Sequence, residues 1–322
     1  MSHVLEVEDL RVAFAGPGGG TEPVRGVSLQ VARGETHCVV GESGCGKSMT
    51  ALAAMGLLPR GARASGGLRF HGEALPRGRR LARLRGDKLA MIFQEPMTSL
   101  NPAYTIGSQL TEVWRRHRPG GRRAAVDRAA ELLARVGIAA PGVRMGQFPH
   151  QLSGGLRQRV MIAMALMCGP ELLIADEPTT ALDVTVQAQI LRLLAGLQQE
   201  MGLAILLITH DLGVVARVAD RVSVMYAGTV VESAPVAGLF ARPAHPYTRG
   251  LLASLPVPGR TKRGEALGSI PGMVPRLPPG FAGCAFRDRC NQAMLICAGT
   301  VPVRQAEAGH SYECFVRADT AA

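Results

Sequence analysis

The fold of this chain is decided by one stretch, Gly41-Glu42-Ser43-Gly44-Cys45-Gly46-Lys47-Ser48. It follows an apolar run, His37 to Val40, and precedes a run compatible with a helix, Met49 to Leu58. Glycines allow the backbone to curl closely around an anion, and N–H groups at the start of a helix point toward it. A lysine and a hydroxyl follow at the spacing G-x-x-x-x-G-K-[ST], which is typical of a loop that binds phosphate and magnesium. The stretch therefore predicts a nucleotide site between a strand and a helix.

The composition is that of a folded protein with an aliphatic core. Of the 322 residues, 47% are hydrophobic and 4% are aromatic. No apolar run approaches the roughly 18 residues that a membrane-spanning helix needs. The first ten residues carry acids where a secretory signal would carry lysines. We therefore expect a cytoplasmic protein whose work on a membrane goes through partner chains.

Patterns of apolar residues order the rest of the chain. Residues 3 to 40 alternate apolar and polar positions between turn signals, which predicts an antiparallel strand layer. From Thr105 to about Ile138, apolar residues recur every three or four positions, which predicts helices. The apolar runs Leu172 to Ala175 and Ala204 to Thr209 flank a helical stretch, Val186 to Gln199. This order is typical of a parallel sheet with crossover helices.

Polar side chains come directly after several of these apolar runs. Asp176 and Glu177 follow one run, Gln94 follows another, and His210 follows a third. In a parallel sheet they would all lie at the same C-terminal edge as the phosphate loop, where ligands bind. There Asp176 can hold magnesium and Glu177 can polarise an attacking water. Taken alone, His210 is more often a surface histidine, and a glutamine such as Gln94 is common at strand ends.

In this order, the motifs resemble those of the ATP-binding subunits of ABC transporters. After the phosphate loop come Gln94 (Q-loop), Leu152-Ser153-Gly154-Gly155 (signature), Asp176-Glu177 (Walker B), Ala181-Leu182-Asp183 (D-loop) and His210 (switch histidine). The resemblance covers roughly residues 3–235 and implies an α/β fold with a P-loop NTPase (RecA-like) core, an antiparallel β subdomain and an α-helical signature subdomain at about 95–168. We expect residues 1–235 to form the ABC-type ATP-binding domain, and residues 236–322 to form a small, loop-rich C-terminal extension rich in proline and cysteine.

The resemblance also implies a role for individual residues. Glu177 is the general base, assisted by Gln94 and by His210 as a γ-phosphate sensor. Magnesium is held by Ser48, Gln94 and Asp176. Phe14 stacks on adenine, although an ordinary place in a strand core explains this residue as well. ATP is bound by Phe14, Ser43, Gly44, Cys45, Gly46, Lys47, Ser48 and Met49, while Ser153, Gly154 and Gly155 complete the γ-phosphate cage of the opposite subunit.

The resemblance further implies partners and a location. A second ATP-binding subunit, either a copy or a homologous chain, sandwiches two ATP molecules with this one. The pair drives two transmembrane permease subunits served by an extracytoplasmic substrate-binding protein, at the cytoplasmic face of the inner membrane. Two motifs resemble the branch that imports peptides and nickel, Gln94-Glu95-Pro96-Met97-Thr98-Ser99-Leu100-Asn101-Pro102 and His245-Pro246-Tyr247-Thr248-Arg249.

The basic charge leaves a rival hypothesis, a soluble ABC ATPase that acts on nucleic acid or ribosomes. The formal net charge is +11, which suits nucleic acid. The arginines, however, form separate clusters rather than one stripe, and stacking aromatics are almost absent from them. Only one signature and no sustained heptad pattern are found in the sequence. We therefore favour transport and expect no direct contact with nucleic acid.

Four of the seven cysteines, Cys284, Cys290, Cys297 and Cys314, lie in the C-terminal extension. Disulfides are not expected in a reducing cytosol. Structural zinc is plausible, but its usual closely spaced cysteine pairs are absent. Four thiolates also suit a 4Fe-4S cluster. The resemblance to the extension of the peptide importer branch favours the cluster and leaves zinc as the alternative.

Overall fold

A computed structural model gives the structure of residues 3–16, 20–94, 99–180, 182–255 and 268–316. The chain divides into two compact units, and each is described by itself. The helical unit comprises Met1–Leu5, Val31–Glu35 and Phe70–Ile208. The phosphate-loop unit comprises Glu6–Gln30, Thr36–Arg69 and Thr209–Ala322.

Strands and helices occur in mixed order along the described chain. The strands are β1 (His3–Phe14), β2 (Thr21–Ala32), β3 (Thr36–Val40), β4 (Ala62–Phe70), β5 (Glu73–Ala74), β6 (Leu89–Ile92), β7 (Leu172–Asp176), β8 (Ala204–Thr209), β9 (Arg221–Tyr226), β10 (Thr229–Pro235), β11 (Val303–Glu307) and β12 (His310–Glu313). The α-helices are α1 (Lys47–Ala54), α2 (Arg79–Leu84), α3 (Ile106–His117), α4 (Arg122–Arg135), α5 (Pro141–Met145), α6 (Gly154–Ala165), α7 (Val184–Met201), α8 (Leu212–Val218), α9 (Val236–Ala241) and α10 (Pro246–Ala253). Short 3₁₀ helices span Pro149–Gln151, Arg287–Arg289 and Leu295–Ala298.

In the phosphate-loop unit, β3 is the strand that leads into the loop. All five of its residues are buried, as expected of a parallel strand covered on both faces. It runs parallel to β9, with Val40 opposite Val224. From β9 the pairing continues antiparallel to β10, then to β12 and β11. A second sheet contains β2, β1 and β4 in that order. The loop therefore starts from a fully buried, paired strand.

In the helical unit, β6, β7 and β8 form parallel pairs, as the sequence predicts. Leu89 lies opposite Leu172, and Leu172 lies opposite Ala204. Helices α3, α4 and α6 pack against one another, so the predicted helical insertion is confirmed. Helix α7 begins where the Asp183 side chain accepts a hydrogen bond from the backbone N–H of Val186 at 2.9 Å, which is a standard N-cap.

The C-terminal extension has more regular structure than its sequence pattern indicates. Helices α9 and α10 have six and eight residues, which is too short for an apolar period to emerge. Strand β12 pairs with β10 in antiparallel fashion. Most of the other described residues of the extension lie in loops and short 3₁₀ helices, as expected. The predicted domain boundary between residues 235 and 236 stays a prediction.

A buried carboxylate joins β10 to the extension. The Glu232 side chain is 0% exposed and lies 2.7 Å from Nε2 of His310, which is 1% exposed. Its two oxygens also accept the backbone N–H groups of Ala244 at 2.7 Å and His245 at 2.8 Å. Burial by itself would raise the pKa of Glu232, but these hydrogen bonds, led by that of His310, hold the pKa below its ordinary value.

Candidate nucleotide site

The phosphate loop needs glycine at two positions for a steric reason. Gly41 and Gly46 have φ of 155° and 102°, and at Gly46 this is the left-handed region that favours glycine. A Cβ at Gly41 would collide with the carbonyl oxygen of Met225, and a Cβ at Gly46 would collide with that of Pro23. The backbone at Met225 and Pro23 therefore leaves no room for a side chain at positions 41 and 46.

Lys47 lies where the predicted site needs a cation. It begins α1, and its side chain is buried, with 5% of the residue exposed. Its Nζ donates to the carbonyl oxygens of Gly41 at 2.7 Å and Glu42 at 3.0 Å, so the loop curls around the ammonium group. Ser43 and Gly44, at the tip, are exposed. A buried ammonium group at a helix N-terminus, beside exposed backbone, is suited to receiving phosphate oxygens.

Cys45 contributes to this loop through its backbone. Its side chain is buried and lies 3.8 Å from Nζ of Lys47. Burial raises the pKa of the thiol, and the neighbouring ammonium group only partly offsets this. A buried, protonated thiol is a poor nucleophile. The backbone of the same residue is fixed by the N–H of Gly228, which donates to the Cys45 carbonyl at 3.0 Å.

In the helical unit, the predicted acidic pair ends strand β7. Asp176 is 4% exposed. Glu177 has a positive φ of 45°, and its N–H donates to the carbonyl of Ile208 at 2.9 Å. Oε2 of Glu177 accepts hydrogen bonds from Nε2 of Gln94 at 3.2 Å and Oγ1 of Thr180 at 2.9 Å. The structure thus brings together two of the predicted catalytic residues, Gln94 and Glu177.

The remaining predicted residues lie at the ends of elements. His210 is exposed and follows β8 in the chain. The next residue, Asp211, caps α8 by accepting the N–H of Gly213 at 2.7 Å. Phe14 is the last residue of β1 and is partly buried. Ser48 and Met49, in the first turn of α1, are also partly buried.

The signature opens helix α6. Ser153 is its N-cap, and the hydroxyl accepts the N–H of Leu156 at 3.4 Å. Ser153 and Gly154 are exposed. A Cβ on Gly155 would lie 2.9 Å from Cγ1 of Val186, so close packing against α7 also favours glycine. Backbone N–H groups at the start of a helix are suited to binding an anion.

Parts of two quoted motifs lie outside the described residues. These are Ala181 of the D-loop and the segment 95–98 after the Q-loop. Leu182 and Asp183 of the D-loop are described, and Leu182 lies beneath Gly154, with Cδ2 3.7 Å from a Cβ built there.

Sequence reasoning missed two residues that contact the phosphate loop. The Tyr247 hydroxyl accepts the N–H of Glu42 at 3.0 Å. The Arg289 guanidinium pairs with the Glu42 carboxylate at 2.7 and 3.0 Å. Tyr247 was recognised only as part of a subfamily motif, and no spacing singles out Arg289. Both are far from the loop in sequence, so no local pattern could reveal these contacts.

The four cysteines of the extension are free thiols. The N–H of Cys284 donates to the carbonyl of Cys297 at 2.8 Å. Burial, with smaller contributions in the same direction from the thiols of Cys297, Cys314 and Cys290, raises the pKa of Cys284 to about 11. In the described ranges, however, no three His, Cys, Asp or Glu side chains form a group that could hold a metal ion.

The loop and its helix define a P-loop nucleotide-binding protein. Comparisons with known proteins identify the family within this class. A family described as "ABC transporter" matches residues 24–180, and one described as "Oligopeptide/dipeptide transporter, C-terminal region" matches residues 231–297. A probable peptide ABC transporter ATP-binding protein of Sinorhizobium fredii is 49% identical over 97% of this chain and 94% of its own length. For a dipeptide transport ATP-binding protein of Bacillus subtilis, the identity is 47% over 98% of this chain and 96% of the relative.

A solved structure supports the same assignment. The dimeric structure of a bacterial ABC transporter cassette matches with a TM-score of 0.64 and 25% identity, over 72% of this chain and 98% of that one. The chain belongs to the ATP-binding proteins of the ABC transporter family and is an ATPase of that family. The predicted α/β fold class is confirmed. Among the helices of the described residues, none combines the length and the apolar character needed to cross a membrane.

Proposed function

We propose that this chain hydrolyses ATP to power the import of peptides or similar small solutes through partner membrane permeases. The proposal is carried by two features found in the same chain. The phosphate loop contains a buried lysine and two glycines at which a Cβ would collide with the backbone. The C-terminal region matches that of oligopeptide/dipeptide transporters. The printed names of the relatives, which refer to peptide and dipeptide transport, point the same way.

We assign the nucleotide site as follows. The loop from Ser43 to Met49 holds the phosphates and Phe14 stacks on adenine, while Ser48, Gln94 and Asp176 hold Mg²⁺. Glu177 acts as general base, because its carboxylate is oriented by two hydrogen-bond donors. His210 senses the γ-phosphate.

The assembly we propose has two ATP-binding subunits, two permeases and an extracytoplasmic substrate-binding protein, at the cytoplasmic face of the inner membrane. The exposed Ser153 and Gly154, together with Gly155, would complete the γ-phosphate cage of the opposite subunit. The dimeric form of the matched cassette supports such a pair. Hydrolysis should therefore depend on assembly.

The test is to purify the full chain from detergent-solubilised membranes and identify what accompanies it. We expect two polytopic membrane proteins and ATP-dependent peptide uptake after reconstitution into vesicles. A Lys47→Met chain should assemble equally well but drive no uptake, since the buried ammonium group is lost. Copurification with RNA or ribosomes, without membrane chains, would instead support the rival nucleic-acid ATPase, which the comparisons do not favour.

For the extension, we propose a 4Fe-4S cluster held by Cys284, Cys290, Cys297 and Cys314. One observation supports a sulfur-bound group: backbone N–H groups approach Sγ of Cys290 at 3.4 Å and Sγ of Cys297 at 3.5 Å. Such N–H···S contacts stabilise thiolates that ligate clusters. Bound as a cluster, iron and sulfide would cross-link the segments that carry the four cysteines.

Anaerobic purification decides the nature of this group. We expect a brown protein with about four iron and four sulfide per chain, the composition of the cluster. Replacement of Cys290 by serine should lower the iron content, whereas Cys168→Ser, which alters a buried cysteine outside the extension, should not. Stoichiometric zinc in a colourless protein would establish the zinc alternative. A metal-free protein would refute both.

A further inference from the structure

The C-terminal extension reaches the phosphate loop through one arginine. Arg289 ends the 3₁₀ helix Arg287–Arg289, and its guanidinium forms a two-pronged ion pair with Glu42, the second residue of the loop. The two N–O distances are 2.7 Å and 3.0 Å. Such a fork-to-fork geometry fixes orientation as well as charge.

This ion pair differs from a surface salt bridge in two ways: its arginine is buried, and the guanidinium group makes further hydrogen bonds. The Arg289 side chain is only 6% exposed, and that of Glu42 is 32% exposed. The guanidinium also donates to the carbonyls of Pro271 at 2.7 Å, Gly272 at 3.2 Å and Ile270 at 3.3 Å. Each guanidinium nitrogen thus has a partner. Exposed pairs contribute little because water and side-chain entropy compete, whereas this arginine is held in one geometry.

Two aromatic rings lie beside the Arg289 guanidinium. The guanidinium carbon lies 5.7 Å from the centre of the Tyr226 ring and 6.0 Å from that of Phe286. Tyr247 packs against both rings, and its hydroxyl accepts the N–H of Glu42 at 3.0 Å. The side chain and the backbone of Glu42 are therefore both held by residues outside the loop.

The electrostatic setting gives this contact a consequence for nucleotide binding. Glu42 places a carboxylate one residue before Ser43, in a loop suited to phosphate oxygens. An uncompensated carboxylate there would repel a triphosphate. Segment 272–276 of the extension and residues Glu42 and Ser43 line the same cleft, of about 950 Å³. The extension thus borders the open side of the loop.

We propose that Arg289 is a positioning residue of the nucleotide site, which acts through Glu42: it neutralises this carboxylate at the start of the phosphate loop, so that the extension sets the affinity for MgATP. The proposal rests on ATP binding at this loop, as proposed above. It assigns to the extension a role in nucleotide affinity that does not depend on which metal the cysteines hold.

The test is a charge-rescue series measured as the Kd for MgATP of the full-length chain. Arg289→Met should raise this Kd about tenfold, because it leaves the Glu42 carboxylate uncompensated beside the bound phosphates. Glu42→Gln should leave Kd within twofold of the wild-type value. The double variant Glu42→Gln/Arg289→Met should return to within threefold. Arg287→Met is the matched control, since Arg287 lies on the same 3₁₀ helix but pairs only with Asp288 among the ion pairs of the described residues, and it should change nothing.

The outcomes distinguish a failure of this proposal from a failure of the proposed function. A wild-type chain that fails to bind MgATP would refute the proposed function itself. Wild-type affinity in Arg289→Met would refute the inference while leaving that function intact. A double variant as weak as Arg289→Met would show a purely structural effect and would also overturn it. If Arg289→Met does not fold, Arg289→Lys decides, because it keeps the charge and loses the fork. We expect a Kd within twofold of the wild-type value, because the Glu42 carboxylate stays neutralised, and a tenfold rise would contradict the proposal.

Discussion

Replacement of Glu177 by glutamine isolates the chemical step from the folding of the site. The wild-type Oε2 accepts hydrogen bonds from Gln94 and Thr180 at 3.2 Å and 2.9 Å. A glutamine has the same length, and its amide oxygen can accept both bonds. The backbone bond from Glu177 to Ile208 is unaffected. The substitution therefore removes negative charge and basicity while the local structure stays in place.

The expected loss follows from the role of a general base. A positioned base contributes about 10²- to 10⁴-fold to a rate, which corresponds to about 2.7 to 5.4 kcal/mol of barrier at 1.36 kcal/mol per tenfold. Thr180→Val provides the matched control, because it keeps the carboxylate and removes one of its two donors. A hydrogen bond to a charged group contributes about 1.5 kcal/mol, so this variant should slow turnover about tenfold.

The assay is phosphate release by the assembled transporter in vesicles at saturating MgATP, together with the Kd for MgATP. Glu177→Gln should lose turnover and keep a Kd within about twofold of the wild-type value. Turnover within twofold of wild type would remove Glu177 from the role of base. A Kd weakened as much as turnover would show that the residue acts in binding instead.

Three further predictions concern the loop and its support. Gly46→Ala should weaken MgATP binding at least tenfold, because φ is 102° and its Cβ would meet the Pro23 carbonyl; Gly44→Ala, with no atom near its Cβ, should have the smaller effect in the same titration. Glu232→Ala should lower the free energy of unfolding by about 3 to 5 kcal/mol, because it leaves His310 and two buried N–H groups without their hydrogen-bond acceptor. An unchanged denaturant midpoint would contradict this. Burial lowers the pKa of His37 to about 4. As the pH falls from about 6.5 to 4, this imidazole is therefore protonated in the unfolded chain but not in the folded one. The free energy of unfolding should then fall by up to about 1.36 kcal/mol per pH unit because of this group. His37→Gln should flatten that slope in denaturation series at pH 7, 6 and 5.

The phosphate loop could be recognised from consecutive residues because its requirements are local. Glycine at positions 41 and 46, a lysine and a hydroxyl are needed at fixed spacing around one anion, and the strand and helix beside them have their own apolar patterns. The parallel strands β7 and β8 and the helix between them were predictable for the same reason. The signature was equally clear, since its serine caps a helix that begins at the next residue.

Other features were beyond local patterns. The left-handed backbone of Glu177 occurs directly after β7, where its N–H donates to the carbonyl of Ile208. No pattern in the adjacent sequence predicts it. The helices of the extension are too short for a period. The buried pair of Glu232 with His310 joins residues 78 positions apart.

The sequence by itself determined the class of protein, the residues of the phosphate loop and the presence of a cysteine-rich extension. Only the tertiary structure decided that the extension holds the loop through Arg289 and Tyr247. Glu42 and Arg289 are 247 positions apart, and a contact over that distance depends on the path of the entire intervening chain. Local propensities act over a few residues, whereas the charge of the loop is balanced by a side chain that folding alone brings to it.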